Sequence, residues 1–277
     1  MRFLFIIHIM LIFSCRSICQ EKQVKNYNQK NLALGITGGF GGMIVRDQVF
    51  TTYLYKASYN PFGIHFESKS IGSKSSINLE FFNRPKFETE TNKGLEYKGD
   101  LGEFYPTEKD GLSISTLKSA FWNFNYTQLF LLQKTREKKI HAYLGFDLNL
   151  LRFEKSFLQF DYVNRLTDRI YNIGLVVNLE RNLNSRHLLM YNLSLPVLSN
   201  TKRTLYNSDA NPGTISQSKY GIFSKSFGFH STLTYRFMIS PKFSVRAIYA
   251  FRYMQVTFPS KEEWAYNQGD LGFFFHF

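Results

Sequence analysis

Side chains that could act as acids, bases or ligands alternate with apolar side chains over the second half of the chain. Seven of them share the polar side of this alternation: His141, Asp147, Glu180, His230, Arg236, Arg246 and Arg252. If the alternation marks β-strands, these side chains line one common wall. There they either pair with one another or surround a path or chamber for a solute, and pairing is the expected role. None of them is predicted to be catalytic.

The neighbouring residues His230 and Ser231 have the types of a base and a nucleophile. Successive residues of a strand point to opposite faces, whereas a base must lie within about 2.6–3.2 Å of its nucleophile. This pair is therefore not expected to catalyse hydrolysis.

Metal and phosphate chemistry gain no support from the spacing of residues. Five histidines lie beyond the N-terminal apolar segment, and no two of them are two or four residues apart: His65, His141, His187, His230 and His276. The segment 38–42 (GGFGG) lacks the Lys-Ser/Thr ending of a phosphate loop and is interpreted as a strand end and turn. We predict no metal site and no cofactor.

The elements that would position these residues are long strands. From residue 119 onward apolar residues recur with a period of two, as in Trp122, Phe124 and Tyr126 or Leu144, Phe146 and Leu148. Aromatic residues make up 17% of the chain, and such side chains fit a pleated surface. Each strand therefore has one apolar and one polar face.

Two architectures contain such strands, and their lengths separate them. Strands of a soluble sandwich average five or six residues, whereas the alternating runs here extend over about 10–15 residues. Membrane-spanning strands need roughly 9–11 residues with apolar side chains outward and polar ones inward. Because backbone groups in hydrocarbon must all be paired, such a sheet has to close into a barrel. We predict an all-β fold with a single closed antiparallel transmembrane barrel, and a soluble periplasmic sandwich is the less favoured alternative.

The N-terminal residues have the pattern of a secretory signal peptide. A basic start is followed by eleven nearly unbroken apolar residues and a tail of small residues. We expect cleavage between Cys19 and Gln20, with lipidation of Cys15 as the alternative. Residues 1–19 are then the leader, 20–30 a short periplasmic segment and 31–277 the barrel. Loss of Arg2 and Arg16 lowers the formal charge from +13 to +11 and leaves no cysteine.

These features together resemble the outer-membrane β-barrel proteins of Gram-negative bacteria. The last strand matches the C-terminal sorting signal of that class, a terminal aromatic residue preceded by apolar residues at alternate positions: Leu271, Phe273, Phe275 and Phe277. The resemblance implies export through a cleaved leader, insertion by the barrel assembly machinery and location in the outer membrane. It covers the whole mature chain but implies no particular activity.

Some barrels of this class are enzymes, either lipid esterases or proteases. The His-x-Ser-Asn spacing of the lipid esterases is absent. Ten-stranded proteases of the class use Asp and His groups at the outer rim, where the loops here offer Asp161, Asp168, Asp209 and Glu262 without a paired signature.

We predict ten strands, with twelve as the alternative. With Phe277 on the periplasmic side, connections 134–139, 182–186 and 240–242 become short periplasmic turns. Connections 84–118, 154–169, 200–226 and 259–266 become longer external loops, which is the asymmetry of outer-membrane barrels. Residues 59–61 are interpreted as a turn, and residues 62–83 as one strand with a bulge near 71–75. The loop 84–118 is expected to form a solvated cap.

The function predicted is non-enzymatic, as a passive small-solute channel or as a surface-exposed structural or binding protein. A lipid- or peptide-hydrolysing barrel is the alternative. Positive loop residues are expected to meet lipopolysaccharide phosphates, and those proposed are Lys202, Arg203, Lys219 and Lys225. No nucleic-acid partner is expected, and the oligomeric state is left open.

Overall fold

The computed structural model describes residues 31–47, 54–82, 86–89, 94–98, 103–107, 116–135, 140–157, 166–207, 213–222, 226–257 and 261–277. The strands in these ranges are β1 (Asn31–Asp47), β2 (Leu54–Tyr59), β3 (Pro61–Lys69), β4 (Ser73–Phe82), β5 (Lys86–Thr89), β6 (Gly94–Lys98), β7 (Glu103–Thr107), β8 (Thr116–Thr135), β9 (Ile140–Phe157), β10 (Leu166–Asn182), β11 (His187–Asn207), β12 (Gly213–Ile222), β13 (Ser226–Ser240), β14 (Phe243–Val256) and β15 (Glu262–His276). No helix long and apolar enough to cross a membrane occurs in these ranges.

Thirteen of the strands form one closed antiparallel barrel. Ten of them follow one another around the barrel in the hydrogen-bonded order β15-β14-β13-β11-β10-β9-β8-β4-β3-β1, and pairing of β15 with β1 closes the cylinder. The other three are β2, β5 and β12. At the seam, Leu32 and Phe277 exchange two backbone hydrogen bonds of 3.0 and 3.3 Å. The strands β6 and β7 pair only with each other.

Ten strands surround the axis because three of them are interrupted. β1 pairs with both β2 and β3, β8 with both β4 and β5, and β11 with both β12 and β13. β2 and β3 therefore share one position in the wall, as do β4 and β5, and β12 and β13. The predicted closed all-β barrel of ten strands is therefore confirmed, and the alternative of twelve is wrong.

The predicted turn at residues 59–61 and the predicted single strand at 62–83 are both wrong. Residues 59–61 do not turn, because β2 and β3 follow one another along the same edge of β1. The turn lies at residues 70–72, where Ser70 donates a backbone hydrogen bond to Ser73 over 2.8 Å. The change of apolar parity that suggested a bulge is thus a hairpin between β3 and β4.

The loops are also shorter than predicted, since β9, β10, β11, β12 and β15 extend well into them. Alternation of apolar and polar residues fades there, but backbone pairing continues, as between Arg203 and Asp168. We call the end of the barrel near residues 70–72, 183–186 and 241–242 the turn end and the opposite end the loop end. About half of the predicted cap at 84–118 lies outside the described residues. Within it, β5 extends the wall.

The outer surface of the barrel is apolar, as the alternation predicts. Tyr249, Leu271 and Phe273 are 53%, 63% and 65% exposed, and Trp122, Phe124 and Phe146 lie on the outward-facing side of their strands. A continuous apolar surface around a closed sheet is the surface that a lipid bilayer covers.

Glycines of β1 let its neighbours fill the interior. A side chain at Gly41 would lie 2.6 Å from the Tyr59 ring, and one at Gly35 would lie 2.3 Å from the Phe274 ring. The segment 38–42 therefore belongs to the middle of a strand, and the predicted strand end and turn at this place is wrong. Its glycines occur where bulky rings approach the backbone.

Candidate functional site

The candidate site is the interior of the barrel, which differs sharply between its two ends. At the loop end a charged network lies above a cluster of apolar side chains. Towards the turn end the interior is polar and contains a cavity.

Four charged side chains close the loop end of the interior. Lys155 Nζ lies 2.6 Å from Asp168 Oδ2 and 2.5 Å from Glu262 Oε1, and Arg203 lies 3.2 and 3.3 Å from the same two carboxylates. We call these residues the rim quartet. All four side chains are 1–3% exposed. Since β9 and β15 are five wall positions apart, the contact between Lys155 and Glu262 crosses the full width of the barrel.

Below the rim quartet, the interior is filled by an apolar cluster that we call the aromatic layer. Its members are Met43, Val45, Tyr55, Ala57, Tyr59, Phe82, Phe121, Leu151, Phe153, Ile170, Met254, Val256, Trp264 and Tyr266. Ring centroids of Phe82 and Phe121 are 4.2 Å apart, and that of Phe121 is 6.1 Å from Trp264 on the far wall. These ring contacts extend across the interior from β4 and β8 to β15. The expectation of a uniformly polar inner wall is wrong at this level.

A hydrogen-bonded polar group follows in the middle of the barrel. Asp147 accepts hydrogen bonds from Ser194 Oγ over 2.7 Å and from Asn125 Nδ2 over 3.2 Å. His230 lies opposite Ser194 in the ladder between β11 and β13, and its Nδ1 is 3.1 Å from Arg252 Nη2. Because a guanidinium can only donate, Nδ1 of His230 accepts.

This middle group contains a serine, a histidine and an aspartate, but their hydrogen bonds are not those of a hydrolase. The Ser194 hydroxyl donates to a carboxylate, and the acceptor nitrogen of His230 is occupied by Arg252. A nucleophilic serine needs its hydroxyl directed at a base that can take the proton. Ser194 was not among the residues predicted to line the interior, although it lies on the polar side of the alternation in its strand. Ser231 points outward, with Tyr191 as its hydroxyl partner at 3.4 Å.

The turn-end half contains a cavity of about 180 Å³ that we call the turn-end chamber. Of the seven residues predicted to line the interior, Asp147, Glu180, His230 and Arg236 line this chamber. Arg252 lies beside His230. Arg246 lies opposite Arg236 in the ladder between β13 and β14.

The seventh predicted residue, His141, lies opposite Glu180 on the inward side of β9. Sequence reasoning missed Glu67 and two lysines next to the hairpin between β3 and β4, Lys69 and Lys74. Glu67 forms a two-fold ion pair with Arg246, in which Nη2 lies 2.7 Å from Oε2. Lys74 and Lys69 both pair with Glu180, the latter over 3.8 Å. These residues belong to the stretch whose strand boundaries were misplaced.

Of the rim acids considered for a protease, Asp168 and Glu262 come together in the rim quartet, whereas Asp161 and Asp209 lie outside the described residues. Asp168 and Glu262 are each paired with Lys155 and Arg203. In the described ranges all five histidines lie in the middle or turn-end part of the barrel. Arg203 was expected to face lipopolysaccharide, and this is wrong because its side chain is 1% exposed within the quartet.

These features define the class of fold: the chain is a closed barrel of the outer-membrane β-barrel type. The outer membrane protease OmpT from Escherichia coli is similar over 92% of this chain and 99% of that chain, with a TM-score of 0.51 and 8% identity. The translocator domain of the autotransporter NalP from Neisseria meningitidis matches 96% of this chain and 95% of that chain, with a TM-score of 0.41 and 10% identity. No protein-family model and no curated protein matches the sequence. At 8% identity the likeness to OmpT extends to the fold alone.

Proposed function

We propose that this chain is an outer-membrane protein of a Gram-negative bacterium whose barrel is closed to free diffusion, and that it acts as a membrane-embedded structural or binding protein. The single observation that carries this proposal is the filled loop-end interior. Ion pairs and ring contacts reach from one wall to the other there, as between Lys155 and Glu262 and between Phe121 and Trp264.

The membrane location rests on the apolar outer surface together with the fold. The turn end then faces the periplasm, because Phe277 and the short turns lie there. Residues 1–19 are the leader for export. The C-terminal pattern that ends in Phe277 is the sorting signal for insertion by the barrel assembly machinery. Exposed Lys202 on the outer surface near the loop end is suited to meet lipopolysaccharide phosphates.

Small barrels are expected to be blocked in this way. An eight-stranded barrel has an interior just wide enough for its own side chains, whereas 16–18 strands enclose an aqueous channel. Ten strands lie near the filled limit, and here the aromatic layer occupies the section that a solute would have to cross. A passive channel is therefore the less supported form of the predicted function.

A hydrolysing barrel gains no support either. The acids at the rim are neutralised by Lys155 and Arg203, and the Ser194 hydroxyl bonds to Asp147 instead of a histidine. The similarity to OmpT concerns the fold, so its protease activity does not extend to this chain.

Planar lipid bilayers test the proposal. The wild-type protein should insert without producing conductance steps. The double variant Phe121→Ala/Trp264→Ala, which opens the ring contact across the interior, should produce small steps. The outward-facing double variant Phe124→Ala/Tyr249→Ala is the matched control and should remain silent. Wild-type steps whose size changes in Arg246→Ala or Arg252→Ala would show a channel through the interior and overturn the proposal.

A further inference from the structure

We propose that the turn-end chamber binds a small oxyanion, a phosphate, sulfate or carboxylate, through the guanidinium of Arg236. The inference goes beyond the closed barrel, since it assigns a ligand to the half of the interior that side chains do not fill. It rests on one unpaired cation, on the charge around it and on the space in front of it.

The first observation is that Arg236 has no partner of its own. It lines the chamber, yet the described residues give its guanidinium no hydrogen bond and no ion pair, and its buried Nε is unsatisfied. Five N–H groups of arginine form a planar fork that fits carboxylate and phosphate oxygens. The side chain is half-buried, so its terminal N–H groups remain accessible as donors for an anion in the chamber.

The second observation is that every carboxylate near Arg236 is already occupied. Both oxygens of Glu67 bind Arg246. Glu180 serves Lys74 and Lys69, and Asp147 accepts from Ser194 and Asn125. The charges of Glu67 and Glu180 act on Arg236 from a distance, but among the described residues neither acid forms a direct ion pair with it.

The third observation is an excess of positive charge. Lys69, Lys74 and Arg236 line the chamber together with the three carboxylates of Glu67, Asp147 and Glu180, and Arg246 beside Arg236 adds a fourth cation. Arg236 and Arg246 are direct neighbours across the ladder of β13 and β14. Like charges in this position repel one another, and an anion between the strands would relieve the repulsion.

The chamber also has room and further donors for such a ligand. Its volume of about 180 Å³ equals that of about six water molecules, which suits a small oxyanion with some water. Ser76, Asn78 and Thr232 line it with hydroxyl and amide groups. The Asn78 carbonyl oxygen is engaged by His65 at 2.9 Å, so its amide N–H groups remain as donors. A lipid is far too large for this space, and the ligand is therefore a free anion.

Calorimetric titration of the refolded full-length chain in detergent tests the proposal, with inorganic phosphate, sulfate and acetate as separate probes. The wild type should bind at least one of them saturably with one site per chain. In Arg236→Gln the affinity should fall about ten- to a hundredfold, the loss expected when charge-assisted hydrogen bonds are removed. Arg236→Lys keeps the charge but not the fork and should show an intermediate affinity.

Lys202→Gln provides the matched control, because it removes the same charge from the exposed outer surface and should leave binding unchanged. A rise of the wild-type melting temperature with probe concentration is a second measurement that needs no variant. Three results would overturn the proposal: no saturable binding by the wild type, equal binding by Arg236→Gln, or an equal loss in Lys202→Gln. Because the titration takes place in detergent, its result is independent of conductance across a bilayer.

Discussion

The loop-end and turn-end halves of the interior share the same ten-stranded wall but differ in how their space is filled and how their charges are paired. In the loop-end half, rings fill the space and each charge of the rim quartet meets an opposite charge. In the turn-end half a cavity remains, and Arg236 faces it without a partner. The loop-end half therefore forms the protein core of the barrel, whereas the turn-end half keeps the space that we propose for a ligand.

The largest effect is expected from breaking the rim quartet, which would test whether the loop-end half is a core. Lys155→Met leaves the buried carboxylates of Asp168 and Glu262 short of a cation and should destabilise the barrel by about 3–5 kcal/mol. Urea unfolding in lipid vesicles measures this change. Lys261→Met is the control, since Lys261 pairs with Glu263 on the exposed surface and should contribute less than about 1 kcal/mol. Equal losses in the two variants would contradict the assignment of the quartet to the core.

A smaller effect is expected where β1 makes room for the aromatic layer. Gly41→Ala forces a methyl group into the Tyr59 ring and the backbone oxygen of Asn267, both 2.6 Å from the new atom. Overpacking of this kind should cost about 1–3 kcal/mol in the same unfolding experiment. At Gly38 a new side-chain carbon would lie 4.0 Å from the backbone oxygen of Pro61, so Gly38→Ala should be tolerated. If Gly41→Ala were equally harmless, the layer would be more loosely packed than described.

The smallest effect separates two tyrosines of the aromatic layer. The Tyr59 hydroxyl donates towards Gln268 Oε1 at 3.2 Å, and Tyr59→Phe should cost about 0.5–1.5 kcal/mol. The buried hydroxyl of Tyr266 has no hydrogen-bond partner among the described residues, so Tyr266→Phe should be neutral or slightly stabilising. Calorimetric melting of both variants beside the wild type provides the comparison. A larger loss in Tyr266→Phe would mean that this hydroxyl has a partner after all.

Much of the fold could be predicted from the sequence because lipid imposes a simple rule on the outer face. Every second residue of a spanning strand must be apolar, and residues such as Phe124, Tyr249 and Phe273 follow that rule over long runs. Closure follows because every backbone group in lipid must be paired. The count of ten strands is right only because two errors cancel, namely a predicted turn at 59–61 that is absent and a hairpin at 70–72 that was not predicted. The rule is weakest in the first 90 residues, where polar residues interrupt the apolar parity and the hairpin at 70–72 was mistaken for a bulge.

The division of the interior could not be predicted in the same way. Inward positions accept polar and apolar residues alike, so Trp264 and Asp270 share one parity of β15 although one belongs to the aromatic layer and the other to the polar middle. Contacts across the barrel depend on which strands face one another, as Lys155 and Glu262 do from 107 residues apart. The order of strands alone does not reveal which charges find partners and which, like Arg236, do not.

The two tryptophans offer the most direct test of the central claim, that a lipid-facing outer surface surrounds a filled interior. Trp122 lies on the outer face, whereas Trp264 is 2% exposed inside the barrel. Trp264→Phe and Trp122→Phe each leave one reporter, and fluorescence is measured in vesicles with brominated lipids and then with aqueous acrylamide. We predict strong quenching of Trp122 by brominated lipid, markedly weaker quenching of Trp264, and almost none of Trp264 by acrylamide. Equal quenching of both tryptophans by brominated lipid, or ready quenching of Trp264 from water, would contradict the account.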